Sequence, residues 1–335
     1  MPKLSESQSI KVVLTAVFAN FFVTIAKIFG WFISLSPSML AEAIHSFADT
    51  SNQLLIYVGI RSSRGGPTKE HPFGKGQSRY LWNLISAAGI FFIGFGVTTY
   101  HGVHSLLDPH HGEYSVGLIT VGILIFTFVV EFYAWYVAYK AVNADLDGRS
   151  YYQYLRYGDD PTAVGVFLED SIAVIGVVIA SIGIGLSSYF NSHVPDGVAS
   201  IVIGLLIGIM AVILTLANAR LLIDASIPQS DEEEIKEFIR SHGTIKSLVS
   251  MKTEILSPNR VRLSSEVEFD ESQLIDEDAI ANAHLSIEDE SIENDKALRD
   301  LSAKQIAMVA RHVNELEQQI FKKFPDIVTI DLEVK

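Results

Sequence analysis

The sequence predicts an α-helical membrane protein with six membrane-spanning helices, followed by a cytoplasmic α+β domain. The mean hydropathy of the 335 residues is positive, at +0.30, which is unusual for a soluble protein with 39 acidic residues. Long apolar segments follow one another from Ile10 to Leu222, whereas the chain from Ser226 to Lys335 is highly charged and acidic. The two parts of the chain are therefore expected to lie in different solvents.

Six segments are long and apolar enough to cross the hydrocarbon core as helices, which takes about 20 residues each. The predicted spans cover residues 10–34, 38–62, 78–106, 114–142, 162–187 and 196–222. Residues 1–225 are thus expected to form a transmembrane domain. The first residues lack the layout of a cleaved signal peptide, so the first span is expected to be retained.

The charges of the connecting loops predict the orientation in the membrane. The loop after the second span holds five Lys or Arg residues, between Arg61 and Arg79, and the loop after the fourth span is also basic. The connectors at 34–38, 105–114 and 187–196 contain no Lys or Arg. Basic loops favour the cytoplasmic side, so both termini are expected in the cytoplasm. No targeting segment is recognised, which favours a bacterial inner membrane.

The acidic part of the chain, residues 226–335, has the pattern of a small α+β domain. A helix is predicted at Asp231–Ser241, because acids in its first turn suit the positive end of the helix dipole. Alternating residues predict strands at 248–255 and 260–269, and helical spacing predicts a helix over 301–324 before a last strand at 327–334. This order predicts helices on one face of a sheet, in a ferredoxin-like arrangement.

The net charge of −14 argues against nucleic acid as a partner and is compatible with attracting cations. Residues 270–300 contribute many of the acids and are predicted to be an exposed insertion, whose carboxylates form a solvated surface rather than a metal site. The chain contains no Cys, so any metal would bind through His, carboxylate, carbonyl or water. There is no Walker-type loop that would indicate ATP-driven pumping.

A stripe of polar residues runs along the second span, in MLAEAIHSFADTSNQLL. Glu42, His45, Asp49 and Asn52 follow at intervals of 3, 4 and 3 and share one helix face. Such groups cost several kcal/mol in hydrocarbon, so they generally face a bundle interior, a cavity or each other. We predict His45 and Asp49 as metal ligands, a donor pair that suits zinc, with a structural hydrogen-bond network as the alternative. Glu42 and Asn52 are candidates for proton handling or for hydrogen bonding to the ligands.

Two adjacent acids lie in the apolar sequence of the fifth span, DDPTAVGVFLEDSIAVIGVVIA. Glu169 and Asp170 point about 100° apart on an undistorted helix, so they are not expected to face one ion equally. One of them is predicted to be a ligand. The other could hydrogen-bond to a ligand, carry a proton or contact a neighbouring helix, and periodicity alone does not assign the two roles.

Other polar residues of the spans give weaker signals. Lys27 in the first span can extend toward the membrane surface, and Asn20 is a candidate for proton handling or hydrogen bonding to a ligand. Glu131 in the fourth span could handle protons or pair with a polar group on another helix. A His-rich connector can bind metal weakly, but the histidines of HGVHSLLDPHHGEY are interpreted as ordinary loop residues: His101, His104, His110 and His111.

Three segments resemble the cation diffusion facilitator family: LAEAIHSFADTSNQ in the second span, EHPFGKGQSRYLW before the third, and FLEDSIAVIG in the fifth. Six spans followed by a small helix–strand domain, metallochaperone-like in this family, also resemble its layout. The resemblance implies a homodimer in the lipid bilayer that exports zinc or a related divalent ion from the cytoplasm in exchange for protons. It further implies two metal ligands from the second helix, matched by His45 and Asp49, and two from the fifth.

The match at the fifth helix is incomplete. The family has His or Asp four residues before the conserved acid, and this chain has Val166 there, so the resemblance implies Asp170 as a ligand and leaves one position missing. Glu169 could supply it if the helix is locally rotated or unwound, or water could fill it. In the loop, His71 is a candidate ligand, but Lys75 replaces a second His, so this accessory site is expected to be lost or altered. Three C-terminal histidines do not match the family's metal ligands: His242, His284 and His312.

The favoured function is efflux of a divalent metal ion across a membrane, with Zn²⁺ exchanged for H⁺ by alternating access. Mn²⁺, Fe²⁺, Co²⁺ and Cd²⁺ are alternative substrates, because ligand type gives only a bias among divalent metals. A hypothesis of another class is a metal-sensing or regulatory membrane protein that no longer transports. Neither a resident cofactor nor an enzymatic activity is expected, since there is no HExxH motif and no nucleophile beside a plausible base.

Overall fold

The computed structural model describes residues 6–107, 117–146, 150–151, 161–275, 277–288 and 294–335. The chain divides into two compact units, Met1–Ile223 and Asp224–Lys335. The first unit is helical and the second combines helices with a small sheet.

Each predicted span of the first unit coincides with helical structure. The third span is one rod, in which a π-helical segment, Ile90–Phe95, joins two α-helices. The α-helices are α1 (Glu6–Ser34), α2 (Pro37–Ser62), α3 (Ser78–Gly89), α4 (Gly96–Leu107), α5 (Leu118–Asp145), α6 (Pro161–Phe190) and α7 (Val194–Leu222).

Four helices among the described residues are long and apolar enough to cross a membrane. They are Ser78–Leu107, Leu118–Ala144, Val164–Phe190 and Val194–Leu222. The described apolar part of α1, Asn20–Ser34, is shorter than the roughly 20 residues that a crossing requires. Helix α2 is long enough, but its polar stripe lowers its hydropathy. The structure therefore confirms four apolar spans and not the full set of six.

Helix α2 lies inside the bundle, since it contacts α1, α3, α6 and α7. Fifteen of its residues are buried, including all four members of the polar stripe. Its N-terminus is fixed by Asp196 of α7, which accepts hydrogen bonds from the backbone N–H and the hydroxyl of Ser38. The Asp196 N–H in turn donates to Ser187 Oγ of α6, at 3.0 Å. These bonds tie α2, α6 and α7 together at one end of the unit.

The second unit contains helices α8 (Gln229–Arg240), α9 (Glu277–Glu288) and α10 (Asn294–Lys323), and strands β1 (Ile245–Ser257), β2 (Arg260–Phe269) and β3 (Ile327–Val334). In the described residues the strands form one sheet in the order β1-β2-β3, with β1 and β2 antiparallel and β2 and β3 parallel. Buried Ile239, Leu263, Val267, Leu316 and Ile320 pack α8 and α10 on this sheet. The predicted small sheet is present, but the ferredoxin-like arrangement is not confirmed.

The acidic stretch at 270–300 differs from the plain exposed insertion that the sequence predicts. It contains helix α9 and the first turns of α10, which contact each other. Ala279 and Ala283 are buried, because residues four apart lie on one helix face. This small apolar face of α9 is formed by alanines and not by the acidic residues, so it can pack.

Candidate metal centre

The polar stripe of α2 is buried inside the first unit. Glu42 and His45 are fully buried, and Asp49 and Asn52 are each 6% exposed. The intervals of 3, 4 and 3 residues place all four on the side of α2 that packs against other helices. The predicted stripe therefore faces the bundle interior, where each polar group requires a partner.

His45 and Asp49 form the least satisfied part of the stripe. His45 Nδ1 lies 3.6 Å from Asp49 Oδ1, which is too far for a hydrogen bond. Three atoms have no hydrogen-bond partner in the described part of the chain: the two ring nitrogens of His45 and Asp49 Oδ1. A buried polar atom without a partner costs about 1–3 kcal/mol. These atoms are therefore available as ligands for a cation.

Glu42 has a different environment, because it belongs to a buried ion triad. Lys27 Nζ of α1 lies 2.6 Å from Glu42 Oε2 and 2.5 Å from Glu131 Oε1 of α5. Lys27 is 1% exposed. Lys27 does not extend toward the membrane surface, as a lysine in a span can, because two carboxylates on neighbouring helices offset its charge inside the bundle. Of the two interactions considered for Glu131, the structure has the one with a polar group on another helix.

Helix α6 approaches α2 closely at Gly176, the last residue of the FLEDSIAVIG segment. A Cβ atom at Gly176 would overlap Glu42 Oε1. Glycine at this position lets the backbone of α6 lie against the carboxylate of Glu42. This contact places the acids of α6, Glu169 and Asp170, within reach of the α2 stripe.

The two acids of α6 have different surroundings. Glu169 is 2% exposed, and its Oε1 accepts a hydrogen bond from Asn52 Nδ2. Ser86 Oγ of α3 donates to Asn52 Oδ1 at 2.6 Å, so three helices meet at Asn52. Asp170 is only partly buried. The carboxylates of Asp49, Glu169 and Asp170 are near enough to repel one another when charged, which favours a cation among them.

The structure brings some predicted ligands together without closing a cage. Among the residues that the structure describes, no three His, Asp or Glu side chains are gathered so that they could hold one metal ion. The nearest approach to such a group is the His45–Asp49 pair on α2, with Glu169 and Asp170 close enough for their charges to interact with Asp49. Val166 lies one turn before Asp170 and offers no ligand atom.

Other candidate residues lie apart from this centre. His71 is exposed in the α2–α3 loop, where its backbone N–H and C=O bond to Thr68 and its C=O also accepts from Gly74, at φ +88°. Asn20 is half-buried on α1 and its backbone oxygen accepts from Thr24. His104 is exposed, and its ring lies 6.0 Å from that of Tyr100 at a tilt of 41°. Further histidines are half-buried or exposed in their own units: His101, His242, His284 and His312. His110 and His111 lie outside the described residues.

Sequence reasoning missed two buried amides near Glu169. Asn83 of α3 is 7% exposed and Asn218 of α7 is 3% exposed. Each is a polar residue within an apolar helix, in LWNLI and LANAR, which is the same signal that identified the α2 stripe. They were not predicted because a single amide in an apolar helix is a weaker signal than several polar residues at helical spacing.

A family model for the cation efflux transmembrane domain matches residues 13–223, more than half of the chain. The chain belongs to the cation diffusion facilitator family. Members of this family are membrane transporters and not enzymes, so this cation diffusion facilitator is a cation efflux transporter. The resemblance noted in the three sequence segments is thereby confirmed.

Curated relatives of this cation diffusion facilitator are named as metal transporters. Metal tolerance protein C4 of Arabidopsis thaliana is 30% identical over 99% of this chain and 74% of its own length. The mitochondrial proton-coupled zinc antiporter SLC30A9 of Mus musculus is 31% identical over 97% of this chain, which spans 58% of the antiporter's length. The cation-efflux pump FieF of Shigella boydii is 24% identical over 89% of this chain and 83% of its own length. Because a plant, an animal and a bacterium are represented, the predicted bacterial inner membrane is not confirmed.

Proposed function

We propose that the chain exports Zn²⁺ in exchange for protons, by alternating access around a site made of His45, Asp49 and Asp170. The observation that carries this proposal is the His45–Asp49 pair, which is buried in the bundle with three ligand atoms that lack hydrogen-bond partners in the described structure. Asp170 would complete the site when α6 moves toward α2. Such closing around the ion is the motion that a carrier requires.

The chemistry of the donors supports zinc. An imidazole with two carboxylates is a donor set that Zn²⁺ accepts readily, and Cys is absent from the chain. One relative carries zinc antiport in its name, and the others are named for metal tolerance and cation efflux. Mn²⁺, Fe²⁺, Co²⁺ and Cd²⁺ are the competing substrates, and water or a further group would fill the fourth position that Val166 leaves.

Proton exchange follows from the same donors. Imidazole and carboxylate bind metal only when deprotonated, so protons and metal compete for the site. A site open to the cytoplasm would load metal, and a site open to a more acidic side would exchange metal for protons. We place both termini in the cytoplasm on the basis of the basic loops, with a transport domain at 1–225, a regulatory domain at 226–335 and a homodimer as the working unit.

The proposal is tested by metal transport in liposomes that contain the purified protein. A pH gradient is imposed, and the accumulation of Zn²⁺ or Mn²⁺ is followed with a trapped indicator. His45→Ala, Asp49→Ala and Asp170→Ala are each expected to reduce the rate to that of empty liposomes. His104→Ala, an exposed position on α4, is the matched control and is expected to retain the wild-type rate. Uphill transport that survives His45→Ala or Asp49→Ala would refute the assignment of the site.

A non-transporting metal sensor is the second candidate function. The observation that favours it is Val166, which removes one ligand from the set expected of a transporter. This candidate predicts that the wild-type protein binds Zn²⁺ and changes conformation without moving the ion. The same liposomes decide between the two, because binding without flux supports the sensor and gradient-driven flux excludes it.

A further inference from the structure

A small cavity lies between α2, α3, α6 and α7 in the first unit. Its volume is about 20 Å³, which is enough for one water-sized occupant. Four polar side chains from the four helices line it, among apolar walls: Asn52, Asn83, Glu169 and Asn218. Each of the four helices contributes one polar side chain to this small space, so the cavity itself is polar.

The amides around this cavity are not satisfied by one another. Asn218 Nδ2 donates to the Leu214 carbonyl at 2.8 Å, which leaves Asn218 Oδ1 buried without a hydrogen-bond partner in the described structure. Asn83 Oδ1 is likewise buried without a partner there. Asn52, by contrast, uses both ends of its amide, toward Glu169 and toward Ser86. Two amide oxygens without partners therefore belong to side chains that line the same cavity as the buried Glu169.

The charge of Glu169 determines what kind of occupant these oxygens suit. No Lys, Arg or His of the described residues makes an ion pair with Glu169, while Asp49 and Asp170 add negative charge nearby. Water would satisfy the amide oxygens alone. A divalent cation would bind the amide oxygens and also the Glu169 carboxylate in place of its proton, because carboxylate and amide carbonyl oxygens are the ligands that hard divalent ions bind.

We propose that this cavity is a second divalent cation site, with Glu169, Asn83 and Asn218 as oxygen ligands. Asn52 is a positioning residue, because its amide holds Glu169 and is held by Ser86. The site contains no imidazole, so its oxygen ligands suit Mn²⁺ better than the His45–Asp49 site does. Glu169 then has a role of its own and does not stand in for the ligand missing at Val166.

The position of the cavity suggests a stage on the route of the transported ion. Asn83 lies near the start of α3 and Asn218 near the end of α7, the two ends that the basic loops place toward the cytoplasm. Asn52 follows Asp49 by three residues, a rise of about 4.5 Å along the helix. An ion from the cytoplasm would occupy the cavity before it reaches Asp49. This ordering rests on the proposed function, whereas the existence of the second site does not.

The test counts bound Mn²⁺ in the full-length protein in detergent, without a membrane gradient. Free Mn²⁺ is followed by electron paramagnetic resonance during titration, in a His45→Ala/Asp49→Ala background that removes the first site. Adding Asn218→Leu is expected to remove one bound ion per chain. Adding Asn218→Asp instead is expected to retain that ion and bind it about tenfold more tightly, because affinity rises with ligand charge. Any binding by the second unit is the same in all variants and subtracts out.

Thr98→Val is the matched control, because Thr98 Oγ1 is also buried without a partner in the described structure but does not line the cavity. It is expected to leave the ion count unchanged. An ion count that responds to neither Asn218→Leu nor Asn218→Asp would mean that the cavity holds water only, and would overturn the proposal. The gain with Asn218→Asp keeps the test decisive if Asn218→Leu folds poorly. If the liposomes transport zinc but the number of bound Mn²⁺ ions does not respond to substitution of Asn218, only the second site is overturned. If the number of bound Mn²⁺ ions responds but no zinc is transported, only the proposed transport is overturned.

Discussion

Two groups of buried ionisable side chains share helix α2 and differ in how their charges are balanced. Glu42 joins Lys27 and Glu131 in a triad in which one ammonium contacts two carboxylates at 2.5 and 2.6 Å. One turn further along α2, His45 and Asp49 form no ion pair with a Lys or Arg in the described structure and leave ligand atoms without partners. The first group carries its own cation, and the second group is arranged to receive one.

This difference separates a structural role from a transport role on one helix. Removing one member of a buried ion-paired group leaves a charge without its partner and destabilises the fold. Removing an unsatisfied group takes away a cost that the fold already bears, so stability is kept while binding is lost. Substitutions in the triad should therefore mainly lower stability, whereas substitutions of His45 or Asp49 should mainly lower transport.

The largest expected effect is on transport, for Asp49→Asn. This substitution keeps the shape of the side chain and removes the charge that binds metal, so the Zn²⁺ transport rate should fall by about 100-fold or more. The thermal unfolding temperature in detergent should stay the same or rise, because an uncompensated buried charge is gone. A variant that unfolds well below the wild-type temperature would show that Asp49 is structural.

The second expected effect is on stability, for Lys27→Met. Glu42 and Glu131 would then be buried without their cation, and the free energy of unfolding should fall by about 3–5 kcal/mol. Thermal or denaturant unfolding of the purified protein measures this loss. Glu131→Gln is the control, with a smaller loss expected because the Lys27–Glu42 pair remains. If Lys27→Met and Glu131→Gln prove equally stable, Lys27 does not stabilise the fold by pairing with both carboxylates.

The contact between α6 and Glu42 gives a smaller effect. Gly176→Ala would place a methyl group against Glu42 Oε1, and overpacking of this kind costs about 1–3 kcal/mol. Gly185→Ala on the same helix meets nothing within 4 Å, so it should be neutral or stabilising by up to about 1 kcal/mol. Unfolding temperatures of the two variants make the comparison. An equal response at both positions would mean that α6 does not approach Glu42 closely.

The smallest effect is expected for an exposed ion pair, in the second unit. Lys246 Nζ lies 2.8 Å from Glu268 Oε1, which lowers the pKa of Glu268 and raises the pKa of Lys246. The contribution of Glu268 is present above its unfolded pKa and lost as pH falls through the folded value. That of Lys246 is present below its unfolded pKa and lost as pH rises through its folded value.

Glu268→Gln should therefore lower the unfolding temperature slightly at neutral pH, and the difference from the wild type should vanish in acid and in high salt. Glu237→Gln, at an exposed position of α8, is the control and should change nothing. The buried triad, in contrast, should keep its effect in high salt. A Glu268 effect that persists in strong salt would contradict its assignment as a solvent-screened pair.

The sequence predicted helix faces better than it predicted neighbours. The 3, 4, 3 spacing placed Glu42, His45, Asp49 and Asn52 on one buried face, because the period of a helix fixes which residues share a side. It could not tell that Lys27 would find Glu42 and Glu131, since pairing depends on how separate helices pack. A lysine in an apolar span can extend outward or pair inward, and only the packing decides between the two.

The same limit applies to the two acids of α6. Periodicity established that Glu169 and Asp170 point in different directions, but not what each of them meets. The hydrogen bond from Asn52 and the cavity with Asn83 and Asn218 require four helices to be assembled, and these residues are far apart in the sequence. In the second unit, helix α9 was missed because its acidic sequence resembles a solvated loop, while its buried face consists of two alanines.

The central claim is that one metal ion and protons compete for the His45–Asp49 site during transport. The most direct test records Zn²⁺ accumulation and the internal pH in the same liposomes, for the wild type and for Asp49→Asn. We expect Zn²⁺ to move in as protons move out in the wild type, and both movements to cease in the variant. Zinc movement without proton movement, or coupled movement that survives Asp49→Asn, would contradict the account.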